Sequence, residues 1–387
     1  MGKGENKNIS TISLDTLGFI RIIAAITVML GHTYWLIETY APELYIKGIL
    51  QAKIICSDLF FIISGMSLAK LYSNKIADNN IGFHKFIIFR LSKLYPLLLF
   101  FLPFCIYLFI GNGINLEPTR HILTLIAPYL FLDAWLPEYY YSYVGPSWVI
   151  SAFLICYIVF FYYCKHLQSF FKGHLSLMLT IIIGYSIILT IWGTIYVESP
   201  VVEGVIHKNP IAKLPQFFMG VFLFYLSEKN FRTNKIHIIV SIVVIATVLG
   251  LLIADYKFSW RVAITPFVGI IIYSLATNPR LNLLFNNDKI KEYSNSSLPL
   301  FLLHWFILWG YALILRLYEG YKLTGLSDLK IFITTSYKIK DPVSPFWGYC
   351  LMLIISIYCS KLLYMKYINP CSLYIRGYYN RKNTVIK

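Results

Sequence analysis

Apolar runs of about 20 residues recur along the whole chain, and each is long enough to cross the hydrocarbon core of a bilayer as a helix. Of the 387 residues, 58% are apolar and only 13% are charged, whereas a soluble protein carries about 25% charged residues. This pattern excludes a soluble enzyme, a disordered chain and a disulfide scaffold. The sequence therefore predicts an all-α fold, a polytopic bundle of transmembrane helices.

Ten of the apolar runs are candidate spans, and a shorter apolar piece at Ile122–Trp135 is either a re-entrant or interfacial segment or an eleventh span. The domain organisation that follows is a cytoplasmic lead at 1–15, a transmembrane domain at 16–365 and a basic cytoplasmic tail at 366–387. The ten candidate spans are Thr16–Ile37, Ile54–Tyr72, Leu94–Ile110, Ser147–Cys164, Leu175–Val197, Ile211–Leu226, Ile236–Ala254, Arg261–Thr277, Ser297–Leu317 and Pro345–Met365.

The net charge of +16 is explained by topology. Lys and Arg lie mostly in short segments between the apolar runs, and no basic domain stands apart from the spans, so we expect membrane lipids and no nucleic acid as partners. With ten spans and a cytoplasmic N-terminus, the cytoplasmic segments hold more Lys and Arg than the outer ones. Because cytoplasmic loops are enriched in these residues, we expect both termini on the cytoplasmic side.

Ionisable residues inside a span are costly and mark functional sites, and the first span holds two of them. Arg21 and His32 are eleven residues apart, so on a helix they lie about 20° apart around the axis and about 16 Å apart along it. With the N-terminus inside, Arg21 lies near the cytoplasmic side and His32 lies further out. The residues alone leave an alternative open, a snorkelling arginine and a core histidine.

A carboxylate and a pair of cations flank the second and third spans. Asp58 begins the second span at the outer side, where an Asp that orients His32 would be a common catalytic arrangement. The alternative is a carboxylate favoured by the helix dipole. Arg90 and Lys93 share a helix face just before the third span, where two cations suit a phosphate-bearing ligand. Here the alternative is an ordinary cytoplasmic flank.

Three further residues are weaker candidates for lining a substrate cavity. Ser147 and Trp148 open the fourth span, and His304 lies in the ninth. A lone histidine on an apolar helix is more often a satisfied structural residue than a catalyst. The seven cysteines include no CxxC pair, and no metal constellation, phosphate loop or Ser-His-Asp signature is visible, so we expect no metal.

Taken in order, five segments resemble the integral-membrane acyltransferase-3 family, which includes bacterial O-acetyltransferases of surface polysaccharides and of O-antigen. The resemblance covers about residues 10–365, and the ordered set is more specific than any one piece. The five segments are LDTLGFIRIIAAITVMLGH, DLFFIISG, RLSKLYP, GPSWVISAF and PLFLLHW.

The resemblance implies which residues of this sequence correspond to the family's motifs. The family's Arg–ten residues–His motif falls on Arg21 and His32, and its paired-cation motif falls on Arg90 and Lys93. The second cation is usually Arg, so Lys93 supplies a point charge in place of a planar fork. Many members carry a Glu shortly after the tryptophan of the fourth span, but none follows Trp148 at that distance here, so any role of that carboxylate is absent.

The resemblance also implies a reaction. Its acyl donor is acyl-CoA, most often acetyl-CoA from the cytoplasm, and its acceptor is a sugar hydroxyl of a lipid-linked or growing glycan at the outer face of the bacterial inner membrane. His32 is expected to be the general base or to carry the acyl group, and Arg21 to bind CoA phosphate or the developing oxyanion. Asp58 is a weaker candidate for orienting the imidazole, and Arg90 and Lys93 are expected to bind the phosphates of CoA.

Two other classes of membrane protein compete with this interpretation. A polysaccharide polymerase or flippase is also polytopic, basic and rich in aromatic residues, but it needs Arg-rich outer loops or a charged central cavity. The predicted outer loops contain only Arg120 and Arg261 as arginines, which argues against a polymerase. A small-molecule transporter normally shows repeated halves with broken helices, and the sequence shows no internal repeat.

Overall fold

The computed structural model describes residues 12–32, 47–112, 118–135, 145–196, 199–229, 260–318 and 345–385. Within these ranges the chain is helical and contains no strand, so the predicted all-α fold class is confirmed. Six of the described helical segments are long and apolar enough to cross a membrane, and two more, Pro266–Ala276 and Ser297–Leu308, are apolar but shorter. The seventh predicted span, Ile236–Ala254, lies outside the described residues.

The long described helices overlap the predicted spans, with short helices between some of them. The helices Lys47–Ala77 and Phe83–Asn112 begin seven and eleven residues before the predicted spans Ile54–Tyr72 and Leu94–Ile110. Three-residue 3-10 turns at Gly145–Ser147 and Ile211–Lys213 lead into two of the long helices. The helices are α1 (Leu14–His32), α2 (Lys47–Ala77), α3 (Phe83–Asn112), α4 (Pro118–Ile126), α5 (Trp148–His166), α6 (Gln168–Gly173), α7 (Leu175–Ile195), α8 (Pro200–Lys208), α9 (Leu214–Glu228), α10 (Trp260–Ala276), α11 (Pro279–Phe285), α12 (Asp288–Asn295), α13 (Ser297–Tyr318), α14 (Pro345–Leu363) and α15 (Asn369–Val385).

Helix α2 lies at the centre of the bundle, where it packs against α1, α5, α9 and α10. Two glycines bring the backbones of α2 and α9 together. A Cβ atom at Gly65 would overlap the carbonyl oxygen of Phe217, and one at Gly220 would overlap that of Ile62. Small residues at a membrane helix interface permit this close approach and the van der Waals packing that drives helix association. The α2–α9 pair is therefore a rigid support for side chains on α2.

The short apolar segment Ile122–Trp135 does not form a span. Helix α4 has nine residues, a length of about 14 Å against the ~30 Å of a bilayer core. Turns follow it as far as Trp135. The structure therefore favours the interpretation of a re-entrant or interfacial piece over an eleventh span.

The residues predicted as a tail continue the last span as a helix. Helix α14 passes through a π-helical segment, Tyr364–Ile368, directly into α15. Helix α15 then packs against α3. A π-helical turn changes the direction of side chains along a helix and occurs frequently at functional sites.

Candidate active site

Helix α1 carries the two ionisable residues of the first predicted span, Arg21 and His32. It is continuous over Leu14–His32, so the separation of Arg21 and His32 is about 16 Å along one helix. Arg21 faces α2, where its Nη2 atom donates to Ser67 Oγ at 3.5 Å. We call the two ends of this helix, and of the bundle around it, the Arg21 end and the His32 end.

His32 is paired with a second histidine. The Nδ1 atom of His32 lies 2.9 Å from the Nε2 atom of His304 on α13, and the two rings stack with centroids 5.1 Å apart. His304 is almost completely buried, with 1% of its surface exposed. Its other ring nitrogen, Nδ1, lies 3.1 Å from the carbonyl oxygen of Leu300 one turn earlier. The structure thus brings together two histidines that lie 272 residues apart in the chain.

This chain of contacts assigns the hydrogens on both rings. A carbonyl oxygen only accepts hydrogen bonds, so Nδ1 of His304 carries a hydrogen and donates it to Leu300. In a neutral imidazole the other nitrogen is then an acceptor, so Nε2 of His304 accepts from Nδ1–H of His32. His32 therefore carries its lone pair on Nε2. This nitrogen is the basic and nucleophilic atom of the pair.

An aromatic residue fixes the other side of the imidazole. The ring of Trp305 meets the ring of His32 edge to face at a centroid distance of 5.5 Å. Gly145 lies against the indole, because a Cβ atom there would come within 2.7 Å of Trp305 Cε2. Consecutive residues of α13, His304 and Trp305, thus hold the orientation of His32.

Asp58, the predicted orienting carboxylate, is ion-paired with a lysine. Its Oδ1 atom lies 2.7 Å from Lys213 Nζ, and the two side chains are 4% and 0% exposed. The ammonium of Lys213 also lies 5.8 Å from the centroid of Trp148 and 5.9 Å from that of Phe61. The nitrogen atom Nδ1 of His32 faces His304 instead. A buried carboxylate needs an opposite charge, and the turn before α9 supplies it.

Ser147 and Trp148 are both buried, and only 1% and 5% of their surfaces are exposed. The hydroxyl of Ser147 donates to Asp133, as does that of Ser151 one turn later. Burial raises the pKa of the Asp133 carboxyl above its ordinary value, and the two serine hydrogen bonds offset part of that rise. These contacts tie the segment after α4 to the start of α5, and the prediction that Ser147 and Trp148 line a substrate cavity stays a prediction.

The Arg21 end of the bundle gathers positive charge. Arg90 on α3 donates from Nη2 to the hydroxyl of Tyr72, and its guanidinium lies 4.4 Å from the centroid of that ring. Its Nε atom and the Nε atom of Arg21 are buried, and no acceptor among the described residues bonds to them. Tyr157 on α5 lies within electrostatic range of both arginines. The structure therefore brings Arg21 and Arg90 to one region.

Two more cations complete this group. Arg376 on α15 donates from Nη2 to the carbonyl oxygen of Phe89 at 2.7 Å and from Nε to Ser92 Oγ at 2.9 Å. Lys93 interacts electrostatically with three arginines, Arg376, Arg90 and Arg21. We call Arg21, Arg90, Lys93 and Arg376 the cation cluster. None of the ion pairs in the described part of the chain includes any of the four.

A family model described as an acyltransferase domain, Acyl_transf_3, matches residues 14–365. The chain belongs to this family. The match covers nearly the whole chain and includes every residue of the site except Arg376. No curated protein and no solved structure matches the chain. The protein is thus a membrane acyltransferase of the acyltransferase-3 family, and family membership favours acyl transfer over a polymerase or a flippase.

Sequence reasoning assigned little weight to three residues that the structure makes prominent. The sequence supports His304 only as a weak substrate-lining candidate, because its contact with His32 depends on the packing of α1 against α13. Lys213 lies two residues after the start of the sixth predicted span, where a lysine is ordinarily a snorkelling charge. Arg376 lies in the predicted tail. Its only sequence signal is a spacing of four residues from Ser372, which places both on one face of a helix.

Proposed function

We propose that this protein is an O-acyltransferase of the bacterial inner membrane. It moves an acetyl group from cytoplasmic acetyl-CoA to a sugar hydroxyl of a surface polysaccharide or of its lipid-linked precursor. The observation that carries the proposal is the hydrogen-bonded chain from Leu300 through His304 to His32, since it leaves the lone pair of His32 on Nε2. An activated imidazole on a transmembrane helix suits transfer to an alcohol.

The reaction requires one base and one acid step, and His32 supplies both. Nε2 of His32 takes the proton of the acceptor hydroxyl while the hydroxyl oxygen bonds to the thioester carbon. The carbon–sulfur bond then breaks, and the imidazolium returns the proton to the leaving thiolate. In a second route, Nε2 attacks the thioester carbon first, and the carbon–sulfur bond breaks to release the thiolate of CoA. The acceptor oxygen then bonds to the acyl carbon while the carbon–nitrogen bond to the imidazole breaks, and the hydroxyl proton passes to the thiolate. Both routes need the tautomer that His304 selects.

The cation cluster suits the phosphate-bearing end of the acyl-CoA donor. Its three arginines donate to hydroxyl or carbonyl oxygens, and no carboxylate in the described part of the chain forms an ion pair with any of the four cations, so phosphate oxygens would find uncompensated charge there. The buried Nε atoms of Arg21 and Arg90 are two donors that a phosphate would satisfy. About 16 Å of α1 separates Arg21 from His32, a distance of the order of an extended pantetheine arm. With the termini in the cytoplasm, the phosphates would bind at the cytoplasmic side.

The decisive experiment is mass spectrometry of the surface glycan from cells with and without the protein. We expect O-acetyl groups that depend on the protein and that disappear in the His32→Ala variant, because loss of a general base removes about 10²–10⁴ in rate. Normal amounts of the variant in the membrane serve as the control. Unchanged acetylation in His32→Ala would reject the assignment, and a change in glycan length without O-acetyl groups would favour a polymerase or flippase.

A further inference from the structure

The C-terminal helix α15 brings a charged side chain to the cation cluster in a fixed position. Arg376 is half-buried, and its Nε and Nη2 atoms donate to Ser92 Oγ and to the carbonyl oxygen of Phe89. Its guanidinium also lies 5.2 Å from the centroid of the Phe89 ring. Three contacts with α3 therefore hold the guanidinium against Phe89 and Ser92, which precede Arg90 and Lys93 in the chain.

The contact between α15 and α3 involves one stripe of α15. Ser372, Arg376 and Tyr379 recur with the spacing of one helix face. Ser372 Oγ lies 3.0 Å from Ser92 Oγ, and the ring of Tyr379 meets that of Phe89 at 6.5 Å. Because polar bonds lie at the centre of this stripe, α15 is held in one register against α3.

The charges of the cation cluster repel one another. Arg376 interacts unfavourably with Arg90, and Lys93 with Arg376, Arg90 and Arg21. Like charges at short range cost free energy, and this cost grows in a low dielectric. A bound ligand with several negative charges would relieve this repulsion. A single carboxylate would not balance four cations, whereas a group with several phosphates would.

We infer that Arg376 is part of the binding site for the phosphates of the CoA donor, so that α15 forms one wall of that site. The inference rests on the proposed function, because it takes the donor from it. It adds a residue outside the matched family domain and gives the C-terminal helix a role in donor binding. A guanidinium held by Phe89 and Ser92 is already oriented before the donor arrives, which lowers the entropy cost of binding.

The test is direct binding of CoA to the full-length protein in nanodiscs of zwitterionic lipid. The variant Arg376→Gln removes the charge, Arg376→Lys keeps it, and Arg381→Gln removes an exposed charge from the same helix as the matched control. Charge-assisted hydrogen bonds to phosphate are strong, so we expect Arg376→Gln to raise the Kd for CoA by about 10- to 100-fold. Arg376→Lys should retain most of the affinity, and Arg381→Gln should bind as the wild type does.

Pantetheine lacks the phosphates of CoA, so its binding shows whether a variant has lost phosphate contacts or the fold of the site. We expect its affinity to be the same in the wild type and in Arg376→Gln. An unchanged Kd for CoA in Arg376→Gln, or an equal loss in Arg376→Lys, would overturn the inference. So would an equal loss of pantetheine binding, since that result would mean a structural role. Failure of the wild type to bind CoA is a different result, because it would reject the donor in the proposed function.

Discussion

The Nδ1 atom of His32 lies 2.9 Å from the Nε2 atom of His304, and the Nδ1 atom of His304 lies 3.1 Å from the carbonyl oxygen of Leu300. One backbone carbonyl thus decides which nitrogen of His32 carries a hydrogen, through a buried ring between them. His304 acts through His32 and has the position of a residue that orients the base rather than one that contacts the acceptor.

Replacement of His304 by Ala is expected to lower kcat more than it raises the KM for the donor. The change removes the acceptor of the half-buried His32 Nδ1–H, which costs about 1–3 kcal/mol, or about 5- to 150-fold in rate. Without His304, either ring nitrogen of His32 can carry the hydrogen, so the pH profile of kcat should change. His174→Ala is the matched control, because His174 makes the same bond to a carbonyl four residues earlier, that of Phe170, but is exposed. A fall in protein stability with an unchanged pH profile would contradict the orienting role.

Substitutions of Lys93 should show whether the cation cluster needs a positive charge at this position or a lysine side chain in particular. Lys93→Arg is expected to retain activity, since the family usually has an arginine there and the charge is kept. Lys93→Glu should raise the KM for acetyl-CoA about 10-fold or more, because it places an anion where phosphate would bind. Lys289→Glu makes the same charge change at an exposed lysine in α12 and should leave the KM unchanged. Equal activity of Lys93→Arg and Lys93→Glu would remove the phosphate role.

The buried pair of Asp58 and Lys213 predicts a large loss of stability when one partner is removed. Lys213→Met leaves a buried carboxylate without its cation, which costs about 3–5 kcal/mol. The double variant Asp58→Leu, Lys213→Met should recover most of the loss, because two apolar side chains then pack together. Thermal unfolding in detergent measures both effects.

The same double variant also tests the catalytic hypothesis for Asp58. If this residue only balances Lys213, the restored protein should transfer the acyl group at close to the wild-type rate. Inactivity of a stable double variant would instead support the role in orienting His32 that the sequence suggested.

The close approach of α2 and α9 predicts that Gly65→Ala destabilises the bundle. A methyl group would overlap the carbonyl oxygen of Phe217, a backbone atom that cannot rotate away, so we expect a loss of about 1–3 kcal/mol or more. Gly184→Ala in α7 is the control, since no described heavy atom lies within 4 Å of its added Cβ. That variant should gain up to about 1 kcal/mol from helix propensity. Equal stability of the two variants would show that the α2–α9 contact has room for a methyl group.

The amino-acid sequence by itself determined the helical membrane fold and the separation of Arg21 and His32, because both depend on local periodicity and a fixed helical rise. The ordered motifs also sufficed for the family. The tertiary structure alone decided which groups pair: His304 with His32, Lys213 with Asp58, and Arg376 with the cations of α3. These partners come from helices far apart in the chain, and the free energy that selects them arises from packing, burial and charge balance, none of which has a period along the sequence.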